Sequence, residues 1–203
     1  MDNDTRLPYR NAFMDNDTLP GVGGASQRVY AFTSYPEIVA RFRTGRAGSA
    51  IDQIKRTYGW MHTHDPGLTQ WEGIGPGGTP CQGSYTSMAH GWSVGVLPAL
   101  INELLGVLPA TPGFATWSVT PRSGTVTWAR GRVPTPHGPI TVQWRTTPEF
   151  VLTVTAPQGT SGTVTLPTPP PGARVHVDDK PAAAAGGARI ELTGGKHTIT
   201  VRK

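Results

Sequence analysis

The chain is predicted to consist of two parts of different kind, a helical segment followed by an antiparallel β-sandwich. Up to about residue 111 the apolar residues recur at three- and four-residue spacing; after Pro112 they alternate with polar ones in short runs. Composition agrees. With 26 Gly and 20 Pro in 203 residues and only 15% charged residues, the chain belongs with folded, turn-rich proteins rather than disordered ones.

Residues 1–27 are read as an irregular leader. Within it Met1-Asp-Asn-Asp-Thr5 recurs as Met14-Asp-Asn-Asp-Thr18, each copy followed shortly by Leu-Pro. Asp15 and Asp17 could open a calcium loop, but Leu19 stands where a third oxygen ligand belongs and Ser26 where the bidentate Glu should be. A local duplication or a misplaced start explains the repeat better.

From Arg28 to about Gly45 the residues Val29, Phe32, Tyr35, Ile38, Val39 and Phe42 follow helical spacing, with Pro36 expected to kink or restart the helix and Gly45 to stop it. A second helix is expected from about Ser49, its cap, to Met61, with Ile51, Ile54, Tyr58 and Met61 on one face. A glycine-rich loop covers residues 64–84. A third helix is expected from about Ser87 to Leu105, ending at Gly106. Three helices around one loop make a poor domain, because their large apolar faces need partners. Residues 28–111 are therefore read as the tail end of a larger all-helical domain.

Eight alternating runs follow: Phe114–Val119, Thr125–Trp128, Ile140–Trp144, Phe150–Thr155, Gly162–Leu166, Arg174–Val177, Arg189–Leu192 and His197–Val201. Gly and Pro clusters separate them, as in a sandwich spanning residues 112–203. Trp117, Trp128 and Trp144 sit on these runs as expected core.

Several function classes are disfavoured. The apolar stretch Val94–Pro109 is interrupted by Pro98, Asn102 and Glu103, so no membrane span is expected. No charged leader followed by an apolar stretch opens the chain, which leaves cytoplasmic and secreted locations both open. The net charge of +5 and pI of 9.7 reflect scarce acids. Arg28, Arg41, Arg43, Arg46, Lys55 and Arg56 are spread along helices with no basic run interleaved with aromatics, so nucleic acid is not an expected partner. Cys81 is alone and cannot form an internal disulfide, and His62 and His64 lack a third ligand at workable spacing, so no metal is expected.

The chemistry concentrates in Leu68-Thr-Gln-Trp-Glu-Gly-Ile-Gly75 and Tyr85-Thr-Ser-Met-Ala-His-Gly-Trp-Ser93. One carboxylate, Glu72, stands among glycines, three aromatic rings (Trp71, Tyr85, Trp92) and the imidazole of His90. Aromatic rings stack on sugar faces, and a carboxylate beside them can take a proton from water. That combination is the chemistry of a glycosidase subsite. Trp71 and Trp92 are equally suited to anchoring a core.

Leu68–Glu72, Ser87–Ser93, Leu105–Val107, Pro112–Phe114 and Gly131-Arg-Val-Pro-Thr-Pro-His-Gly-Pro139 together resemble the C-terminal region of inverting bacterial and fungal α-L-rhamnosidases, glycoside hydrolase family seventy-eight. The resemblance covers about residues 14–166. It implies that residues 28–111 are the end of an (α/α)₆ catalytic barrel and that a C-terminal β-sandwich follows. It further implies that Glu72, in a Thr-x-Trp-Glu motif, is the general base for water, and that His90 lies at the sugar site beside Trp71, Trp92 and Tyr85. No organic cofactor is implied. The implied partners are a rhamnose-containing glycoside or polysaccharide and either the missing N-terminal part of the barrel or a second copy of the chain.

Where the sequence departs from the family is equally informative. The family's general acid lies in an Arg-Asp-Glu-Arg-x-Gly-Trp type motif, which this chain lacks. Glu37, Asp52, Asp65, Glu103, Glu149 and Glu191 do not replace it, being expected on helices, at a turn or in the sandwich. Two alternatives remain open: a non-catalytic carbohydrate-binding or interaction module, and a different helical-barrel glycosidase.

Overall fold

The computed structural model describes residues 28–64, 67–182 and 189–202, so the expectations for residues 1–27 and for Asp65 lie outside the described residues. The chain forms helices followed by a multi-stranded β region, arranged as two compact units that divide between Ala99 and Leu100. Among the described residues no helix is long and apolar enough to cross a membrane.

In the first unit, strand β1 (Val29–Tyr30) leads directly into helix α1 (Ala31–Arg43), and helix α2 (Ala47–Thr63) packs against it. Ala31, Ser34, Ile38, Arg41 and Phe42 form the buried stripe of α1; Ala50, Ile51, Gln53, Thr57, Tyr58 and Met61 form that of α2. Each large apolar side chain so buried contributes roughly 1.5–3 kcal/mol. The guanidinium of Arg41 is only 2% exposed, and its charge is met inside: Nε donates to Glu37 Oε1 at 2.9 Å and Nη1 donates to the Ser49 hydroxyl. Ser49 therefore lies within the helix holding Arg41 instead of capping it, and the helix starts two residues earlier, at Ala47. Pro36 does not interrupt α1. Gly45 ends it as expected, with φ +80, a conformation that costs a side-chain-bearing residue energy.

The expected third helix is not one helix. Residues 91–95 form a 3₁₀ turn, α3 is the single turn Val96–Ala99, and Leu100–Leu105 widen into a π-helical turn that opens the second unit. Two glycines and Pro98, which has no N–H to donate, undermine a regular ladder here. Gly95 is needed for another reason, since a Cβ there would lie 2.6 Å from the Tyr35 side chain.

The second unit is built on one long hairpin. Runs expected as four strands fuse into two: β7 (Phe150–Thr165) and β10 (Arg189–Arg202) pair antiparallel along almost their whole length. The Gly and Pro residues expected to separate strands instead bend this pair. The register shifts between Thr193 and Gly195, and a Cβ on Gly194 would lie 2.1 Å from the Pro157 carbonyl oxygen. One arm continues through β6 (Ile140–Arg145) and β5 (Trp128–Val133) on one side and β8 (Arg174–Val177) and β9 (Lys180–Ala182) on the other. The other arm adds β4 (Thr116–Val119) and β3 (Val107–Pro109). Pairing is antiparallel except between β4 and β7, which run parallel.

Each arm buries one face, with Trp117, Trp144, Val142, Leu152, Val154, Val164 and Ile199 almost fully covered. Trp128 is the exception among the expected core tryptophans. It is 66% exposed, because β5 turns Ala129, Gly131 and Val133 inward and Trp128, Arg130 and Arg132 outward. Gly131 lies against Leu105, where a Cβ would come within 2.5 Å of Cδ2. Glu103, 1% exposed, is held by Arg122 Nη1 at 2.9 Å.

At the β8–β9 turn, Asp178 and Asp179 both adopt positive φ, the geometry of a tight hairpin. Asp178 accepts the Thr198 backbone N–H at 2.8 Å and pairs with His197 Nδ1 at 2.8 Å. Burial works against its charge. The Thr198 N–H, the His197 bond and charge, and Lys180 outweigh that and hold its carboxyl below the usual carboxylate range. A lowered carboxylate pKa stabilises the fold above the unfolded value and the effect fades as pH falls through the folded one. Asp178→Asn keeps a residue that tolerates positive φ. It is expected to lower the thermal midpoint at neutral pH, with the difference from the wild type shrinking as the pH falls through the carboxylate's lowered range; a pH-independent difference would contradict this. Glu103→Ala removes one partner of a buried pair whose other member is partly exposed, and should destabilise the chain by about 1–3 kcal/mol in chemical denaturation.

Candidate active site

The site is organised by two loop segments that hydrogen-bond to one another in the first unit. Residues 69–72 run beside residues 87–90: the Glu72 N–H donates to the Ser87 carbonyl at 2.8 Å, the His90 N–H donates to the Gln70 carbonyl at 2.8 Å, and the Thr69 hydroxyl donates to the Met88 carbonyl. Immediately after Glu72, β2 (Gly73–Ile74) pairs with β1, Tyr30 opposite Gly73 and Val29 opposite Ile74. A Cβ on Gly73 would lie 2.8 Å from the Val29 carbonyl oxygen, so only glycine permits this approach. The Ala31 N–H then donates to the Glu72 carbonyl at 3.2 Å. Glu72 is thereby tied to the start of α1 and to the 87–90 segment together.

Ala31 is itself anchored from α2. The Tyr58 hydroxyl donates to the Ala31 carbonyl at 2.8 Å, and burial pushes the Tyr58 phenol up, so it stays a protonated donor. Beneath the loop Trp71 is 2% exposed and Cys81 3% exposed. Trp71 thus anchors the loop and turns no open face outward. Cys81 is a buried free thiol packed against Gly73.

The Glu72 side chain is half-buried and oriented by two donors. The Gln82 amide donates to Oε1 at 3.2 Å, and the Ser87 backbone N–H donates to Oε2 at 3.2 Å. Two donors on a carboxylate with about four lone-pair positions leave acceptor capacity for a water. Aromatic rings line up from the end of the 87–90 segment to the start of α1. His90 and Trp92 stand edge to face with centroids 6.3 Å apart, Trp92 meets Phe32 edge-on at 5.9 Å, and Phe32 lies 6.2 Å from Tyr30. Trp92 is 76% exposed and Tyr85 88% exposed. Of the residues singled out from sequence, Glu72 and His90 lie on the two hydrogen-bonded segments, and Trp92 follows just after and meets the His90 ring. Tyr85 stands free on a 3₁₀ turn nearby in the chain, with no ring partner among the described residues.

Sequence reading missed Gln82, Ser87 as a backbone donor, and Phe32. Nothing about Gln82 in a glycine-rich loop signals its role. Phe32 was detectable, because it lies off the stripe formed by positions 31, 34, 38, 41 and 42 of α1. The other described acids of this unit are Glu37, engaged by Arg41, and Asp52, exposed on α2. Neither forms a pair with Glu72. Among the described residues no cluster of three His, Cys, Asp or Glu could hold a metal.

Residues 106–180 match the family described as the bacterial alpha-L-rhamnosidase C-terminal domain. An alpha-L-rhamnosidase of Streptomyces avermitilis is 31% identical over 158 residues, which are 72% of this chain and 15% of that protein. The crystal structure of Streptomyces avermitilis alpha-L-rhamnosidase complexed with L-rhamnose superposes with a TM-score of 0.67 at 27% identity, over 84% of this chain and 18% of that one. The alpha-L-rhamnosidase from Dictyoglumus thermophilum shares the fold, with a TM-score of 0.73 at 18% identity over 85% of this chain and 21% of that one. The chain is therefore similar to the C-terminal part of α-L-rhamnosidases, and it spans about a fifth or less of the length of these relatives.

Tyr58→Phe removes a buried hydrogen bond on which the loop indirectly depends. It is expected to cost about 0.5–1.5 kcal/mol and to speed amide exchange at Ala31 and Glu72. Unchanged exchange at these amides would show that Tyr58 does not brace the site.

Proposed function

We propose that this chain is the C-terminal part of a glycoside hydrolase of the α-L-rhamnosidase type. In the complete enzyme Glu72 acts as general base, taking a proton from the water that attacks the anomeric carbon of a terminal α-L-rhamnosyl group. One observation carries the reading: Glu72 is half-buried with each carboxylate oxygen fixed by one donor, on a segment laced to the one bearing His90 and Trp92. Orientation without saturation is what a base needs, since it must hold water and still accept its proton.

Hydrolysis with inversion needs a second carboxyl group on the far side of the sugar, about 6.5–9.5 Å from the base, which gives its proton to the leaving glycosidic oxygen. Glu37 and Asp52 are engaged or exposed elsewhere, so the acid is assigned to an upstream part of the enzyme. His90 is assigned to hydrogen bonding with sugar hydroxyls, Trp92 to stacking on a ring face, and Tyr85 to a peripheral sugar contact. Trp71 supports the loop from below. The similarity to α-L-rhamnosidases, including one whose structure contains L-rhamnose, supports a rhamnose-containing substrate. No organic cofactor enters the chemistry.

Two measurements test this. The isolated chain should not turn over an aryl α-L-rhamnoside; substantial turnover abolished by Glu72→Gln would overturn its status as part of the machinery. When the chain replaces the matching C-terminal stretch of the Streptomyces avermitilis enzyme, Glu72→Gln should lower kcat by about 10²–10⁴-fold with KM little changed. An active hybrid indifferent to Glu72→Gln would remove the general-base assignment.

A further inference from the structure

The β-sandwich carries a surface that the hydrolytic reading does not use. Among the described residues β5 pairs only with β6, which makes it an edge strand, and its outward side chains are Trp128, Arg130 and Arg132 in succession. Opposite them on β6 stand Arg145, Gln143 and Thr141, and on β7 Val151, Thr153 and Thr155. Arg145 is occupied by the Thr147 carbonyl and lies 3.9 Å from Glu149. Arg130 and Arg132 have no ion-pair partner among the described residues. Trp128 is 66% exposed. At the end of the strand Arg132 also lines a cavity of about 270 Å³ with Pro134, Thr135, Gly138 and Pro139, residues of the Gly131–Pro139 motif.

Charged side chains on an edge strand can simply guard against pairing with another strand. That duty is served by Arg130 and Arg132 and worsened by an open indole, so Trp128 needs another explanation. Alternate residues on a strand stand about 6.4–6.8 Å apart. Two unpaired guanidinium forks at that spacing suit two carboxylates on one extended oligomer, since Arg binds carboxylate bidentately. The indole supplies a flat apolar face for a sugar ring, and the neighbouring Gln143 and Thr153 supply partners for hydroxyls. A single ring and a short cationic row fall short of the basic track with repeated stacking platforms that single-stranded nucleic acid requires.

We propose that the outward face of β5 and β6 binds a carboxylated polysaccharide, with Trp128 stacked on a sugar ring and Arg130 and Arg132 paired to uronate carboxylates. The site lies within the second unit and is independent of Glu72.

Affinity electrophoresis of the full chain in gels containing polygalacturonate or neutral dextran tests the proposal, with calorimetry to quantify it. Polygalacturonate should retard the chain and dextran should not, and the retardation should fall as salt rises. The double variant Arg130→Gln/Arg132→Gln should bind polygalacturonate at least tenfold more weakly, and Trp128→Ala several-fold more weakly, with thermal midpoints unchanged because all three side chains are exposed. Glu72→Gln should bind like the wild type, which separates this proposal from the hydrolytic one. Equal mobility in the two gels, undiminished binding by the double variant, or tighter binding of a single-stranded oligonucleotide would each overturn it.

Discussion

The first unit depends on the hydrogen bonds that run between residues 69–72 and 87–90. Neither segment is part of a helix or an extended sheet. Their backbone groups satisfy one another: Glu72 N–H to Ser87, His90 N–H to Gln70. Buried peptide groups left without partners are costly, so these bonds fix the register of the two loops as firmly as a sheet would. The register decides the chemistry. It brings the Ser87 N–H to Glu72 Oε2 and sets His90 and Trp92 on the segment laced to the carboxylate. Gly73 completes the arrangement by letting β1 approach, and Trp71 seals it from beneath.

The second unit rests on a different constraint, the bending of one long hairpin. A strand that keeps the same face inward along its length, as β7 does at Leu152, Val154, Ala156, Thr160 and Val164, can enclose a core when it bends midway. Pro157, Gly159 and the bulge at Thr193–Gly195 place that bend, so one pair of strands serves both arms. The outward faces of these arms are then left for polar contacts, which is how Trp128 and two arginines come to share an edge.

Periodicity made much of this legible. Ile38 and Phe42 on α1, the α2 stripe at Ile51, Tyr58 and Met61, the change of pattern after Pro112, and Trp117 and Trp144 as core followed from spacing alone. The Trp-Glu and Ser-x-x-His motifs pointed to Glu72 and His90, which lie on two segments joined by backbone hydrogen bonds. What could not be read has physical reasons. Gly and Pro mark bends as readily as turns, so two long strands looked like four. Pro98 and two glycines sit inside a helical pattern whose hydrogen bonds they weaken. Strand alternation says which residues share a face but not which face turns inward, and Trp128 fell on the outward one. A backbone donor such as Ser87 N–H leaves no trace in side-chain identity.

Glu72 as a base beside a bound sugar is the claim from which the hydrolytic account follows. The most direct measurement is a crystal structure of the hybrid enzyme carrying Glu72→Gln, soaked with L-rhamnose. The sugar is expected against His90 and Trp92, with its anomeric carbon approached by a water within about 2.6–3.2 Å of the residue 72 side chain. A sugar bound elsewhere, with residue 72 facing bulk solvent, would contradict the account.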